Sequence, residues 1–312
     1  MRTSYAIGID IGGSALKCGV VDRSGNLLYT FSFPVSNNYA QGENIALILA
    51  AIRKCAARVP GQIAGVGIGF PGLVDRNVII GGGDNLPGFL NVDLGQIISS
   101  ATQLDVVIDN DVNMMGTGEQ LYGAAAGCSD VVFITVGTGI GGSLIINGRP
   151  YSGYKNRGGE IGHLPIVHGG RPCACGGSGC LEAYAAVPAL IRTYNELRGT
   201  PDATDTTGKL IAQEYIAGEP LAIAAFDQHF DYLSSGIAGL INLFSPQKIV
   251  IGGGISESTF YVKEIAARVK RKIIPVCGQH TLLVPAELGN QAGLLGCAAK
   301  VFTVFTPDRM EA

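Results

Sequence analysis

Apolar residues recur along the chain with the two-residue period of a β-strand, and glycine-rich turns separate the segments. Residues 5–13 alternate and then turn on two glycines, and residues 17–22 and 27–33 continue the pattern as a meander. Such alternation predicts strands of a half-buried sheet. Further strands are predicted at 63–70, where Pro71-Gly72 stops the run, at 106–113, where the strand runs into a helix, within 131–150, and at 248–256, which ends in three glycines.

The helical period of 3.6 residues dominates much of the remaining chain. Residues 43–59 place apolar side chains on one face, which predicts an amphipathic helix. A long, mostly apolar helix is predicted at 220–244 and must be well buried. The other predicted helices are 181–198, as one or two helices with Pro188 in a first turn, 261–273 and 292–305.

The opening strand pattern occurs twice. Residues 7–28 and residues 133–150 each form a predicted strand pair bent around two consecutive glycines. An internal duplication of a hairpin-led α/β domain explains this repeat and predicts two lobes with a cleft between them. Because the repeated segments are short, two unrelated hairpins are the alternative.

Composition and charge exclude several classes of function. The 312 residues carry a net charge of −3, which offers no basic surface for nucleic acid or an anionic membrane. Hydrophobic residues make up 47% of the chain and allow a large buried core. The longest uncharged apolar stretch, 131–148, contains five glycines, so we expect two strands there and not a membrane span. The first residues show no secretory signal, and we expect a cytoplasmic protein.

Three glycine-rich turns are candidate phosphate sites, at 10–14 (DIGGS), 137–142 (GTGIGG) and 252–254 (GGG). A turn without Cβ atoms lets backbone N–H groups converge on phosphate oxygens. Ordinary hairpin turns are the alternative for each of them. None fits the P-loop pattern, and GTGIGG lies between two predicted strands, which disfavours a dinucleotide site.

A polar run from Asp109 to Asn113 lies where a predicted strand ends and a predicted helix begins. The N–H groups of the helix N-terminus would hold the Asp111 carboxylate ionised. An ionised carboxylate at the end of a strand is placed to act as a general base. The alternative is that Asp111 only caps the helix.

A cysteine-rich segment predicts a metal site. His163, Cys173, Cys175 and Cys180 supply one imidazole and three thiols within 18 residues, a ligand set typical of tetrahedral zinc. Ordinary buried cysteines are the alternative, and His168 is a second candidate for the imidazole ligand. The other five cysteines lie in apolar segments and are predicted to be buried; they are Cys18, Cys55, Cys128, Cys277 and Cys297.

Together these motifs resemble those of the ROK family (repressors, open reading frames and kinases) of sugar kinases, within the actin/hexokinase/Hsp70-like superfamily. DIGGS is similar to the family's phosphate loop DxGGT, with Ser14 in place of threonine. GTGIGG is similar to its second phosphate loop, and GGGIS to its adenosine-side motif. The run GH-x9-CxCGxxGCxE at 162–182 matches the family's zinc signature at every position.

The resemblance implies an α/β fold of two actin-like (ribonuclease H-like) lobes with a cleft between them and a small zinc loop. The small lobe would comprise residues 1–110 and be completed by the C-terminal helix at 291–306. The large lobe would comprise residues 111–290 and carry the zinc-binding loop at 163–182. Closure of the lobes would exclude water, which otherwise competes for the phosphoryl group.

The resemblance also implies a role for each matching residue. Asp111 would be the general base, and Asp10 would help to place Mg²⁺ near the phosphates of ATP. Sugar hydroxyls would be bound by Asn85, Asn110, Asp111, Glu160, His163 and Glu182. ATP would be contacted by Asp10, Gly12, Gly13, Ser14, Thr138, Gly139, Gly253 and Gly254. A structural Zn²⁺ would be held by His163, Cys173, Cys175 and Cys180.

The implied reaction transfers the γ-phosphoryl group of ATP to a hexose, with the 6-hydroxyl of glucose or a near epimer as the first expectation. Residues 83–89 (GDNLPGF) resemble the NLPGW segment of glucokinases, with Phe89 in place of tryptophan. Kinases of N-acetylmannosamine, N-acetylglucosamine, fructose or allose are the alternatives within the family.

Two alternatives belong to other functional classes. A sugar-sensing transcriptional repressor of the family would carry a helix-turn-helix domain before the first phosphate loop, whereas here that loop begins at Asp10. A non-kinase ATPase of the superfamily, such as a chaperone or a dehydratase activator, lacks the zinc run. We therefore expect a kinase that acts on small molecules as a homodimer, without nucleic-acid or membrane partners.

Overall fold

A computed structural model describes residues 4–12, 15–35, 40–82 and 86–306, except for the side chains of residues 257 and 259. Contacts group the chain into two compact units. The first unit comprises Met1–Gly127, Pro150–Gly158 and Glu287–Ala312, and the second comprises Cys128–Arg149 and Gly159–Ala286. The helix that follows residue 110 is grouped with the first unit, whereas the boundary expected from the sequence lies before that helix.

Strands and helices alternate through most of the described chain. The strands are β1 (Tyr5–Ile11), β2 (Ala15–Asp22), β3 (Leu27–Pro34), β4 (Ile63–Phe70), β5 (Leu73–Asp75), β6 (Val78–Gly81), β7 (Val92–Asp93), β8 (Val106–Asn110), β9 (Val131–Val136), β10 (Ile140–Ile146), β11 (Arg149–Tyr151), β12 (Lys248–Gly252) and β13 (Leu282–Pro285). The α-helices are α1 (Gln41–Ala56), α2 (Leu94–Thr102), α3 (Asp111–Tyr122), α4 (Glu182–Ala185), α5 (Val187–Arg198), α6 (Gly208–Ala217), α7 (Pro220–Phe244), α8 (Thr259–Val269), α9 (Pro275–Gly278) and α10 (Ala292–Phe305).

Two five-stranded sheets share one strand order. The first is ordered β3-β2-β1-β4-β8 and the second β11-β10-β9-β12-β13. In both sheets the central strand pairs antiparallel with its hairpin partner, and the two following strands add in parallel. The common order confirms the internal repeat predicted from the sequence. A small sheet, β5-β6-β7, was not predicted.

Helix α10 lies directly against the first sheet, because glycines in the strands allow backbone contact. A Cβ atom at Gly8 or at Gly67 would collide with the carbonyl oxygens of Leu294 and Cys297, respectively. Helix α3 meets α10 in the same way, since a Cβ atom at Gly296 would collide with the Met114 carbonyl. Helix α10 thereby packs along β1 and β4 of the first sheet.

Most predicted helices are confirmed, and some predictions are wrong in detail. Helices α7 and α10 have the predicted bounds, and Pro188 lies in the first turn of α5. Residues 181–198 form two helices, and α8 ends at Val269 instead of continuing to residue 273. Helices α2 and α6 were not predicted. Cys128 and Cys277 are only half-buried and do not belong to the core, contrary to the prediction.

Buried apolar side chains form a large cluster in each unit. In the first unit it lies on the face of the first sheet that α1 and α2 cover, and a smaller cluster lies between the other face and α10. In the second unit the long helix α7 supplies the largest part, together with β9, β12 and α8. Within the described residues, none of the helices has the length and apolarity that crossing a membrane requires.

Candidate active site

The buried carboxylates of Asp10 and Asp109 lie in register at the carboxyl end of the first sheet. Strand register aligns Asp10 of β1 with Gly69 of β4, and Gly69 with Asp109 of β8. Paired residues of neighbouring strands project from the same face, so both carboxylates project beside a residue that has no side chain. Asp10 is 5% exposed and Asp109 is 7% exposed. The carboxyl end of this sheet therefore brings two buried carboxylates together, each with a lysine partner.

Asp10 is enclosed by the first turn of α10. A Cβ atom at Gly293 would lie 2.7 Å from Cγ of Asp10, so this helix position must be glycine for the carboxylate to fit. Burial raises the pKa of Asp10, and the Lys17 ammonium group, 4.0 Å from Oδ2, acts in the opposite direction. A divalent cation at this carboxylate would stabilise its ionised form in the same way as Lys17.

Asp109 fixes the turn between β8 and α3. Its Oδ1 accepts hydrogen bonds from Asn110 N–H at 2.8 Å and from Asn113 Nδ2 at 3.0 Å. Its Oδ2 pairs with Lys300 Nζ of α10 at 3.1 Å. Oδ1 thus binds residues of β8 and α3, and Oδ2 binds a residue of α10.

Asn110, and not Asp111, is the residue that caps α3. Its Oδ1 accepts from Val112 N–H at 2.9 Å and from Asn113 N–H at 3.2 Å, and its Nδ2 donates to the Gly72 carbonyl at 3.2 Å. Asp111 is the first helical residue, half-buried, and its Oδ1 also lies 3.0 Å from Val112 N. The helix N-terminus favours negative charge at this position. Asp111 Oδ1 therefore shares the Val112 N–H with the capping oxygen of Asn110.

Two glycine turns lie side by side at the end of the second sheet. Gly252 of β12 pairs with Thr135 of β9, so the turns that follow the two strands are neighbours. Gly253 has a φ of +100° and a Cβ atom there would collide with the Val136 carbonyl, so only glycine fits. The turn after β9 is closed by a hydrogen bond from Gly137 N–H to the Gly139 carbonyl at 2.9 Å. Backbone N–H groups of such turns suit anionic oxygens.

The four predicted metal ligands converge. A ring nitrogen of His163 and the Sγ atoms of Cys173, Cys175 and Cys180 all lie within 4.8 Å of one another. Cys175 Sγ is 3.7 Å from Cys180 Sγ, and Cys173 Sγ is 3.5 Å from His163 Nδ1. A tetrahedral zinc ion with its usual bond lengths separates two sulfurs by about 3.8 Å and sulfur from nitrogen by about 3.5 Å. These residues therefore fit zinc, whereas His168 is exposed and lies outside the cluster.

The loop that carries the cysteines is folded by its own backbone. Cys173 N–H donates to the Gly177 carbonyl, and Gly179 N–H donates to the Arg171 carbonyl. The backbone N–H of Gly177 and the neighbouring Cys173 thiol lower the pKa of Cys175, whereas burial raises the pKa of Cys180 to about 12. The loop thus holds the sulfur atoms in place mainly through its own backbone, and one outside side chain, Tyr184, accepts from the Arg171 N–H at 2.6 Å.

A family model described as the ROK family matches residues 6–303. The chain belongs to the ROK family. It is 33% identical over 319 residues to a glucokinase of Streptomyces coelicolor. The aligned region covers 94% of this chain and 96% of the glucokinase. It is 29% identical to a xylose repressor of Bacillus spizizenii, over 97% of this chain and 78% of the repressor.

A solved ROK structure has the same fold. The ROK family glucokinase from Streptomyces griseus, in complex with glucose and AMPPNP, superposes with a TM-score of 0.79 at 31% identity, covering 95% of this chain and 98% of that chain. The α/β fold expected for this ROK chain is thereby confirmed, while zinc binding stays a prediction supported by the His/Cys cluster.

The structure places most of the predicted site residues of this ROK protein. The first unit holds Asp10, Gly12, Asn110 and Asp111, and the second unit holds Thr138, Gly139, Glu160, His163, Glu182, Gly253, Gly254 and the three cysteines. Gly13, Ser14 and Asn85 lie outside the described residues. Glu160 is exposed, and its carbonyl accepts from His163 N–H at 3.0 Å.

Several residues that contact the candidate site residues were not found from the sequence. Gly69 separates the two carboxylates of the first sheet, Lys300 pairs with Asp109, and Ile140 donates its N–H to Glu182 Oε2 at 2.9 Å. The polar run at 109–113 is a signal that could have drawn attention to Asp109. Lys300 and Ile140 carry no local signal, because their partners are 191 and 42 positions away.

Proposed function

We propose that this ROK protein is an ATP-dependent sugar kinase that transfers the γ-phosphoryl group to a hexose hydroxyl. The glucokinase relatives at about one-third identity and the glucose and AMPPNP bound to the Streptomyces griseus enzyme support this reaction. The observation that carries the proposal is the placement of Asp111 in the first turn of α3, with the turn before it fixed by Asn110 and Asp109.

In the proposed reaction Asp111 takes the proton of the sugar hydroxyl. The sugar oxygen forms its bond to the γ-phosphorus while the bond from that phosphorus to the bridging oxygen of ADP breaks. The N–H groups of Thr138 and Gly139 bind phosphate oxygens, since that of Gly137 closes the turn. Asp10 would help to hold Mg²⁺, which would neutralise the charge of the phosphates. Asn110, Glu160, His163 and Glu182 bind sugar hydroxyls, as do Asp111 and Asn85.

Asn110 binds the sugar through a limited part of its side chain. Its Oδ1 already accepts from two helix N–H groups, and one of its Nδ2 protons is given to the Gly72 carbonyl. Its second Nδ2 proton is the group that can donate to a sugar oxygen. Asn110 therefore donates a hydrogen bond to a sugar oxygen. The carboxylates of Asp111, Glu160 and Glu182 instead accept hydrogen bonds from sugar hydroxyls.

Zinc has a structural role in this proposal and would be bound by His163 and the three cysteines. Nδ1 is the nitrogen of His163 that faces the thiols, so Nε2 is the atom that can meet a sugar hydroxyl. A ring fixed through one nitrogen presents the other in a defined direction.

Glucose or a near epimer is the proposed substrate, ahead of fructose, allose and the N-acetylated hexosamines. The segment that resembles the glucokinase motif is anchored by Leu86 and Phe89, which are 4% and 2% exposed. The ring of Phe89 packs on Phe70 at 5.3 Å between centroids. Phe89 thus substitutes for tryptophan as a buried anchor and does not depend on a polar ring nitrogen.

A panel of sugars tests the proposal, with ADP release followed by a coupled assay in the presence of Mg²⁺. Glucose, mannose, fructose, allose, N-acetylmannosamine and N-acetylglucosamine are compared at equal concentration. We expect the highest kcat/KM for glucose or mannose. Release of ADP that no sugar stimulates would contradict the proposal.

The similarity to a xylose repressor favours a second candidate, a sugar-responsive regulator that binds sugar without phosphorylating it. Calorimetric sugar binding without ADP release would establish this second candidate in place of the first. For the kinase, we also propose a cytoplasmic location, since its thiol ligands need a reducing compartment, and a homodimer, which light scattering tests.

A further inference from the structure

Glu182 makes a contact that a sugar ligand does not require. Its Oε2 accepts a hydrogen bond from Ile140 N–H at 2.9 Å. Ile140 begins β10 and directly follows the glycine turn at 137–139. Glu182 is the first residue of α4, two positions after the metal-ligand candidate Cys180. One side chain thus connects the end of the cysteine loop to the turn proposed to hold phosphates.

The turn at 137–139 is held at both ends by the segment 182–187. Val187 N–H donates to the Gly137 carbonyl at 2.9 Å, while Glu182 binds the residue after the turn. A Cβ atom at Gly139 would collide with Oε2 of Glu182, so glycine is needed there for the carboxylate to approach. Loss of the Glu182 contact would release one end of the turn.

The other oxygen of Glu182 points to a different region. Oε1 lies 4.0 Å from Cys173 Sγ, a member of the His/Cys cluster. A carboxylate is a planar group, so a sugar hydroxyl that binds one oxygen also restricts the direction of the other. Sugar bound at Glu182 would therefore stabilise the contact between Oε2 and Ile140.

We propose that Glu182 is a positioning residue for the phosphate turn, through which a bound sugar tightens the binding of nucleotide. This inference rests on the proposed function and adds to Glu182 a role apart from its contact with sugar. The coupling must be reciprocal, so nucleotide would tighten sugar binding by the same factor. Glu160 is a matched control, since it is the other carboxylate proposed for the sugar and is exposed.

The experiment measures the Kd of Mg²⁺–AMPPNP by calorimetry for the wild type, Glu182→Ala, Glu182→Gln and Glu160→Ala. Without sugar, Glu182→Ala should raise this Kd about fivefold or more, because the turn loses an acceptor with a full charge. Glu182→Gln should stay within about twofold of the wild type, since its amide oxygen still accepts from Ile140. Glu160→Ala should leave the value unchanged.

Addition of a saturating concentration of the best sugar of the panel extends the test. It should lower the nucleotide Kd of the wild type and of Glu160→Ala about fivefold or more, and it should leave that of Glu182→Ala unchanged. An equal sugar-free Kd in Glu182→Ala and the wild type would overturn the proposal, as would an equal loss in Glu160→Ala. A wild type that binds no nucleotide at all would instead contradict the proposed function.

Zinc content and Tm separate a local effect from unfolding. If Glu182→Ala lowers either one, Glu182→Met decides, because it keeps the length of the side chain and removes the acceptor of the Ile140 N–H. A raised sugar-free Kd in Glu182→Met with normal zinc content and Tm supports the proposal, and an unchanged Kd overturns it.

Discussion

Lys300 Nζ lies 3.1 Å from Oδ2 of Asp109, and this ion pair joins α10 to the end of β8. The other oxygen of Asp109 holds Asn110 N–H and Asn113 Nδ2. The pair therefore supports the short segment from which Asp111 projects, although neither partner is expected to touch the substrate.

Replacing Lys300 by methionine keeps the length of the side chain and leaves Asp109 buried without its cation. We expect kcat to fall about tenfold or more with a smaller change in KM, since a displaced base loses its alignment with the hydroxyl. Steady-state kinetics check this. Lys263→Met on the exposed side of α8 is the control and should behave as the wild type. Unchanged kcat in Lys300→Met would show that the ion pair does not position Asp111.

The sequence predicts elements with a strong internal period and misses contacts between distant segments. Helix α7 is predictable over all its residues, because apolar residues recur throughout it and no proline lies between Pro220 and Pro246. The pairing of Lys300 with Asp109 is not predictable, since 191 positions separate them and an ion pair leaves no periodic signal. The same holds for the close approach of α10 to Gly8 and Gly67, which depends on how the helix crosses the sheet.

The candidate site is predictable where neighbouring residues carry the chemistry. The four predicted metal ligands lie within 18 residues, so they are close in the sequence before the chain folds. The capping residue of α3 is different, because Asp109, Asn110 and Asp111 are all good caps. Only the backbone conformation, non-helical at Asn110 and helical from Asp111 on, decides between them.

Zinc should be present at one ion per chain and should depend on the thiol of Cys175. Replacing Cys175 by serine should release the ion, because a neutral hydroxyl is a far poorer ligand than a thiolate. Sugar affinity should fall with it, since His163 loses the partner that orients its ring, while nucleotide binding should largely remain. Elemental analysis and calorimetry measure both effects.

Cys277→Ser provides the matched control for the zinc prediction, because Cys277 is a half-buried thiol outside the cluster. It should retain the metal and the sugar affinity. A metal-free wild type with full activity would contradict the prediction and show that the cysteines of the loop are ordinary packing residues.

The buried His229 makes the folded protein sensitive to acid. Its Nε2 lies 2.6 Å from the Tyr261 hydroxyl, and burial lowers the pKa of His229 from 6.5 to about 3. Between these two values the unfolded chain binds a proton that the folded chain cannot, so stability falls as the pH falls. From pH 7 to pH 5 the expected loss is about 2 kcal/mol.

Urea unfolding at pH 7 and pH 5 measures this contribution, with His229→Phe as the variant. The phenylalanine cannot titrate, so the variant should lose about 2 kcal/mol less than the wild type over this interval. His280→Phe, an exposed position, should keep the pH dependence of the wild type. Equal pH dependence in the wild type and His229→Phe would contradict the prediction.

We expect Glu119 to contribute to the free energy of unfolding through the hydrogen bonds that its carboxylate accepts, and not through its net charge. It is 1% exposed, and its carboxylate accepts backbone N–H groups of Ala124, Glu287 and Leu288 at 2.8–3.2 Å. Glu119→Gln would direct an N–H₂ group at one of these donors, and we expect a loss of about 2–3 kcal/mol. Glu287→Gln is the control, because that side chain is exposed in the same segment. Equal melting temperatures of the two variants would refute the assignment.

The measurement that most directly tests the proposed reaction is the kcat of Asp111→Asn with the best sugar of the panel. Asparagine has the same shape but cannot take the hydroxyl proton, so kcat should fall by a factor of about 10²–10⁴, with little change in Tm and a smaller change in sugar Kd. Asp105→Asn, an exposed carboxylate just before β8, should retain the wild-type rate. A variant Asp111→Asn that keeps half of the wild-type kcat would contradict the assignment of Asp111 as the general base.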